Sequence, residues 1–256
     1  MKKILFVFIL SLYAAFSYAQ TDLHFGFQAS PSWSWLATND SRSSGSGSNL
    51  GLKLGLILEN RFSQSYAITS GIGFHFNTGG AIQINPGVYG KQWRLSRSEV
   101  TPSLPGVDSV LYGEESKFRY NLTFVEIPIG LKLRTPETGS HTRFFVEPGL
   151  TLGIRTRATG KMDAFGTDNK QYSRESIDIG RESGIINLSW GLGVGGEYII
   201  SNNNAITAGI YFQRGFVDAT DDDSNSTFED PLGNLNGRPD KSVLINSFTL
   251  RLGLMF

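Results

Sequence analysis

The chain has 256 residues, no net formal charge and no cysteine. Zero net charge gives no reason to expect nucleic acid or a polybasic membrane patch. The missing thiol excludes a disulfide framework, a thiolate zinc site, a cysteine nucleophile and a lipid-modified N-terminal cysteine. Charged residues make up 18% and glycines number 30, a composition suited to a β-rich chain not made for bulk water.

The N-terminus reads as a secretory leader. Lys2 and Lys3 precede an apolar stretch, residues 4–16, too short to span a bilayer as a mature helix. Ser17, Tyr18 and Ala19 form a small-x-small cleavage site. Residues 1–19 are therefore expected to be removed, with an uncleaved anchor helix as the alternative. Residues 20–256 are expected to form one domain. Past residue 20 no apolar run reaches the roughly 18 residues of a membrane helix.

Eight segments then alternate apolar residues with polar residues or glycine at period two, the mark of a strand with two unlike faces. The first, 23–35, sets Leu23, Phe25, Phe27, Trp33 and Trp35 against His24, Gln28, Ser30, Ser32 and Ser34. The second, 50–61, sets Leu50, Leu52, Leu54, Leu56 and Leu58 against Lys53 and Glu59. In the third, 67–77, Ile68, Ile72, Phe74 and Phe76 oppose Thr69, Gly71, Gly73 and His75. In the fourth, 119–134, Val125, Ile127, Ile129, Leu131 and Leu133 oppose Glu126, Gly130, Lys132 and Arg134. The fifth, 143–155, has Phe144, Val146, Leu150, Leu152 and Ile154 opposite Arg143, Glu147, Thr151 and Arg155. The sixth, 186–200, has Leu188, Trp190, Leu192, Val194 and Tyr198 opposite Asn187, Ser189, Gly193 and Glu197. The seventh, 205–217, carries Ile206, Ala208, Ile210, Phe212 and Phe216 on one side, with Arg214 breaking the apolar parity. The eighth, 243–256, sets Leu244, Phe248, Leu250, Leu252, Leu254 and Phe256 against Ser247, Thr249, Arg251 and Gly253.

The connections alternate as well. Short ones lie at 63–66, 135–142 and 201–204, and long polar ones at 37–49, 78–117, 158–183 and 218–241. Membrane barrels combine an even strand number, crossings of about 9–11 residues, short inner turns and long outer loops. The predicted fold is therefore all-β, an eight-stranded antiparallel up-and-down transmembrane β-barrel. It is placed in the outer membrane, with short turns periplasmic and long loops external. The Ser/Gly-rich run 41–49 reads as a loop tip. A soluble ligand-binding barrel would alternate too, but with its apolar face inward. The second face here is rich in Gly, Ser and Thr, a poor water-facing surface and a good narrow lumen. Trp33, Trp35, Phe74, Phe76, Phe212 and Phe216 near the outer interface, with Tyr198 and Phe256 near the inner one, read as an aromatic girdle.

The stretch Phe124-Val-Glu-Ile-Pro-Ile-Gly-Leu-Lys132, the leader ending Ser-Tyr-Ala before Gln20, and the terminal strand Phe248-Thr-Leu-Arg-Leu-Gly-Leu-Met-Phe256 resemble the PorT-like outer-membrane β-barrel family of Bacteroidetes. That resemblance implies insertion by the barrel-assembly machinery, which recognises the C-terminal strand. It also implies secretion-system components among the partners, with a role accessory to protein secretion.

Lys53, Glu59, Glu126, Lys132, Glu147, Glu197 and Arg251 share the inward face. An eight-stranded barrel is just wide enough to fill with side chains, so buried charges must pair. A lumen plugged by salt bridges is the main reading, and a gated ion or small-solute path is the alternative. By strand direction Glu59, Lys132, Glu197 and Arg251 are expected toward the periplasmic half, and Glu126 and Glu147 nearer the middle. Glu126 and Glu147 lack a nucleophile or pocket motif to make them an acid/base pair, so no enzymatic activity is expected. His24 and His75 read as hydrogen-bonded lumen residues. In the last loop Asp221, Asp223 and Asn225 start like a calcium loop. Ser226 and Leu232 stand where such a loop needs Gly and Glu, which leaves at most loose divalent binding. No structural metal and no cofactor are expected. An aromatic and basic stretch (Tyr89, Lys91, Trp93, Arg94, Arg97) suits lipopolysaccharide phosphates or a partner protein.

Overall fold

The computed structural model describes residues 22–39, 43–86, 89–90, 113–139, 141–165, 171–201, 204–220, 228–229, 235–236 and 242–256. The expected leader lies outside them. In chain order the strands are β1 (Asp22–Thr38), β2 (Ser43–Arg61), β3 (Tyr66–Ile84), β4 (Tyr89–Gly90), β5 (Lys117–Arg134), β6 (Thr142–Phe165), β7 (Gln171–Asp178), β8 (Ile186–Ile199), β9 (Ala205–Gly215), β10 (Phe228–Glu229), β11 (Leu235–Asn236) and β12 (Val243–Met255). Strands β1, β2, β3, β5, β6, β8, β9 and β12 hydrogen-bond antiparallel into a closed ring of eight. β7 pairs with the far part of β6, and β4, β10 and β11 form a small separate sheet. The ring has a turn end, where the three short connections lie, and a loop end.

The wall is inside-out relative to a water-soluble barrel. Phe27, Leu150 and Ile210 are 60%, 59% and 58% exposed, while Ser32, Ser34 and Glu59 are 0%. A continuous apolar band this large cannot face water in a stable monomer, and it matches the lipid-facing band of a membrane barrel. Inner faces lined with polar side chains are tolerable only where those side chains satisfy one another.

Several strands run far past the thickness of a bilayer. β6 has 24 residues, and β2 and β3 have 19 each, against the roughly 9–11 that a crossing needs. In the excess the polarity inverts. Phe118, Tyr120, Leu122, Phe124, Ile82, Ile84 and Met162 are at most 1% exposed and pack, with Leu36, Val243 and Ile245, into an apolar core inside the loop end of the barrel. Their outward neighbours, such as Lys117, Arg119, Asn121 and Lys161, are polar.

Two devices produce the inversion. On β5 the backbone pairs without an extra residue, and the apolar set steps from odd positions (125–133, outward) to even positions (118–124, inward). On β3 and β6 a β-bulge rotates the wall instead. The β3 register slips between His75 and Thr78, around Asn77 with its positive φ of 55°. The β6 register skips Thr156 between Arg155 and Arg157. In both strands the even-numbered apolar residues face lipid before the bulge and the core after it.

This geometry corrects three expectations. Residues 43–49 of the Ser/Gly-rich run belong to β2 rather than to a loop tip. Residues 78–84, expected as the start of a loop, continue β3. The stretch 158–183 is not one loop, because β6 extends to Phe165 and β7 returns along it as a ninth strand of the sheet. Arg214 stays on the outward face and is exposed, with no bulge on β9 to turn it inward.

Ile210 is near the middle of β9 and of the apolar band. Ile210→Arg is expected to cost about 2–4 kcal/mol, the usual penalty for a cation at the bilayer midplane. Denaturant unfolding of vesicle-inserted protein reads this. A soluble barrel would tolerate the change at so exposed a position.

Candidate functional site

Three polar clusters fill the lumen between the turn end and the apolar core. Strands from around the ring carry them, because every second residue of each strand faces inward.

The cluster nearest the turn end joins β2, β5 and β8. Lys132 Nζ donates to Glu59 Oε2 at 2.8 Å and to Glu197 Oε1 at 2.9 Å. Arg134 Nε donates to Glu197 Oε2 at 2.8 Å, and its Nη2 also contacts Glu59 Oε1. Arg61 Nε reaches Glu59 Oε1 at 2.6 Å. Glu59 and Arg134 have side chains with no exposure at all, so each carboxylate must be neutralised locally. Lys132 also lies 4.8 Å from the centre of the Phe145 ring. Arg134 Nη1 has no protein partner among the described residues.

The second cluster is built on Glu147 of β6. Thr69 donates to Oε1 at 2.9 Å, Tyr211 to Oε2 at 2.6 Å, and Arg251 Nη1 to both oxygens at 3.1 and 3.2 Å. The Arg251 guanidinium lies 3.6 Å from the Tyr211 ring centre, a cation–π contact. Gly193 makes room for that ring, since a Cβ there would stand 2.1 Å from Tyr211 Cε1. Arg251 thus joins Glu147 in this second layer, and not the layer of Glu59 and Glu197. The barrel's stagger shifts facing levels from strand to strand, and position along a strand does not reveal that offset.

The third cluster lies beneath the apolar core. Lys53 Nζ donates to Glu126 Oε2 at 2.9 Å and to Gln213 Oε1, and Gln213 Nε2 donates to Thr151 at 2.9 Å. Glu126 Oε1 lies 2.9 Å from His75 Nδ1, and His75 Nε2 lies 2.8 Å from Ser32 Oγ. The carboxylate accepts, so the imidazole proton is assigned to Nδ1 and the Ser32 hydroxyl donates to Nε2. Ser32, His75 and Glu126 thus follow the order of a nucleophile, base and orienting acid. Yet Ser32 is 0% exposed, and neither it nor His75 borders the two small voids next to the second and third clusters. The voids beside Lys53, Glu126 and Gln213 and beside Glu147 and Tyr211 measure about 30 Å³ each, enough for a single water. No acyl or phosphoryl substrate fits there.

His24 contacts the Phe256 carbonyl oxygen at 3.2 Å and Asp22 at 3.0 Å near the turn end. A cavity of about 710 Å³ opens at that end between Asp22, Arg61, Glu137, Arg143, Glu197 and Asn204. Among the described residues no three His, Asp or Glu side chains gather as a metal site. Asp221, Asp223 and Asn225 lie outside the described residues, as do Lys91, Trp93, Arg94 and Arg97.

Sequence reasoning placed Lys53, Glu59, Glu126, Lys132, Glu147, Glu197 and Arg251 on one face. The structure adds Arg134, Arg61, Tyr211, Gln213, Thr69 and Thr151 as their partners. Arg134 was readable from its shared parity with Lys132, and Tyr211 and Gln213 from the inward parity of the seventh segment.

The family model for the outer membrane protein beta-barrel domain matches residues 17–221. The chain belongs to that family. It is accordingly an outer-membrane barrel, and the apolar band faces the lipid of that membrane. No curated protein sequence matches it. Among solved structures, Neisserial surface protein A is similar at 10% identity, covering 90% of this chain and 95% of that one with a TM-score of 0.41. A major outer membrane protein of Thermus thermophilus is 13% identical, with 91% and 98% covered and a TM-score of 0.41. The attachment invasion locus protein Ail of Yersinia pestis is 12% identical, with 91% and 99% covered and a TM-score of 0.36.

Lys132 is shared by two buried carboxylates. Lys132→Met is expected to destabilise the barrel by about 3–5 kcal/mol, the cost of stranding buried charge. A shift in denaturant midpoint in vesicles measures it, and an unchanged midpoint would mean that water already screens Glu59 and Glu197.

Proposed function

We propose that this protein is a closed, non-enzymatic outer-membrane barrel whose work is done by the sheet and loops at its loop end. The observation that carries this reading is the doubly filled lumen. The voids beside the second and third clusters measure about 30 Å³ each, and an apolar core then fills the loop end. An ion would have to break buried pairs and cross that core, each step costly in a medium of low polarity. The Ser32, His75 and Glu126 chain, with the order of a hydrolytic triad, has its hydroxyl buried away from any substrate.

Residues 1–19 serve in this reading as the export leader. The loop end faces out of the cell and the short turns face the periplasm, the arrangement usual for such barrels. The extension above the band presents β7 and the outward faces of β5 and β6 as a water-facing platform. A role accessory to secretion, with contacts to secretion components, follows from the PorT-like stretch 124–132. That stretch runs from the apolar core at Phe124 through Glu126 to Lys132. The barrel-assembly machinery and outer-membrane lipid are the remaining partners.

Planar-bilayer recording tests the closed lumen. The inserted protein is expected to leave membrane conductance at baseline across the voltages that the bilayer survives. Stable single-channel steps would replace this reading with a conducting one.

A further inference from the structure

Among the described residues, the outward face of the apolar band carries one charged side chain. On β9 the outward series Ile206, Ala208, Ile210 and Phe212 continues to Arg214, which is exposed. No carboxylate pairs with it among the described residues. Arg214 stands in register with Trp190 of β8 on one side and Asn246 of β12 on the other. Asn246 is in register with Trp35 and shares the outward face with Phe248. It is only 8% exposed, and its side-chain oxygen is buried without a hydrogen-bond partner among the described residues.

An aromatic cluster lies beside this pair, at Trp190 and Trp35, and below it, at Phe212 and Phe248. Phe212 and Phe248 have ring centres 5.2 Å apart, Trp35 and Phe248 5.5 Å, Trp190 and Phe212 5.9 Å, and Trp35 and Phe212 6.4 Å.

Two independent features fix the depth of the pair. β9 leaves the short turn at Ala205, so residues 205–214 match the roughly ten residues of one crossing. The polarity of β12 also inverts here, with Ile245 buried in the core and Phe248 exposed to lipid. Asn246 and Arg214 therefore lie where hydrocarbon gives way to headgroups. A guanidinium is tolerated at that level and not at the bilayer centre. A planar cation with several N–H donors is the side chain best matched to a phosphate. The aromatic cluster beside and beneath offers a flat apolar bed for chains attached to such a group.

We propose that Arg214 and Asn246 form a seat for the phosphate of an anionic membrane lipid in the loop-end leaflet, with its acyl chains lying on Trp35, Phe212, Phe248 and Trp190. The unpaired guanidinium supplies the charge, and the Asn246 side-chain N–H donates the second hydrogen bond to the phosphate. The seat rests on the outer-membrane location and is independent of whether the lumen conducts.

The test reconstitutes the full chain in phosphatidylcholine vesicles and replaces part of the lipid with brominated lipids. Bromine quenches tryptophan fluorescence when its lipid occupies a site beside an indole. Brominated phosphatidic acid, which exposes a phosphate monoester, is compared with brominated phosphatidylcholine. Phosphatidic acid is expected to bind about five-fold more strongly, the usual effect of one cation near an anionic headgroup. Arg214→Gln is expected to bring that preference close to one. Arg157→Gln, which removes an exposed cation further out on β6, is expected to leave it unchanged. A wild-type protein with no preference would overturn the seat. So would a preference that survives Arg214→Gln, or one that Arg157→Gln removes equally, since the attraction would then be diffuse surface charge.

Discussion

The barrel wall is one strand thick, and its two faces meet different media. Lipid on the outside offers no hydrogen bonds, so the backbone is closed into a ring and the outward side chains are apolar. The inside then takes most polar residues of the pattern, Arg214 and Asn246 apart. It is too narrow to hydrate them, so they must satisfy each other. Glu59, Glu197, Lys132 and Arg134 do this at one level, Glu147, Arg251 and Tyr211 at the next, and Lys53, Glu126, His75 and Ser32 at the third. The glycines of β8 belong to the same constraint, because Gly193 makes space for the Tyr211 ring that reaches Glu147.

Above the band the medium changes and the polarity follows it. There the same strands stand in water, so Phe118, Tyr120, Leu122 and Phe124 turn inward as they would in a soluble β-barrel. The point of inversion marks the membrane boundary on four of the strands without reference to any lipid. It falls between Phe124 and Val125 on β5, at Asn77 on β3 and at Thr156 on β6. On β12 it lies between Ile245 and Phe248.

The eight crossings were legible because period-two alternation survives wherever one face meets lipid. The extension was less legible for a physical reason. On β3, Ile72, Phe74 and Phe76 are followed at the same parity by Ile82 and Ile84, and only the bulge at Asn77 turns the second pair inward. Small residues such as Ala158, Gly160 and Ala164 weaken the signal on β6 in the same way. In the lumen, parity carries which side chains face inward, but the stagger between strands decides which of them meet. Arg251 and Glu147 were both legible as inward, but that they meet each other was not. The Ser32–His75–Glu126 chain joins β1, β3 and β5, and no spacing within one segment could display it. Buried as it is, the chain braces β1, β3 and β5 against one another.

The interdependence of lumen charges is the claim on which the rest depends, and Glu147 with Arg251 is the simplest pair to isolate. A double-mutant cycle of Glu147→Leu and Arg251→Met, read by denaturant unfolding in vesicles, measures it directly. Each single change is expected to cost about 3–5 kcal/mol, and the two together clearly less than their sum, because neither then strands a buried charge. Single costs that simply add would contradict it, and would mean that water in the lumen, and not the opposite charge, stabilises each group.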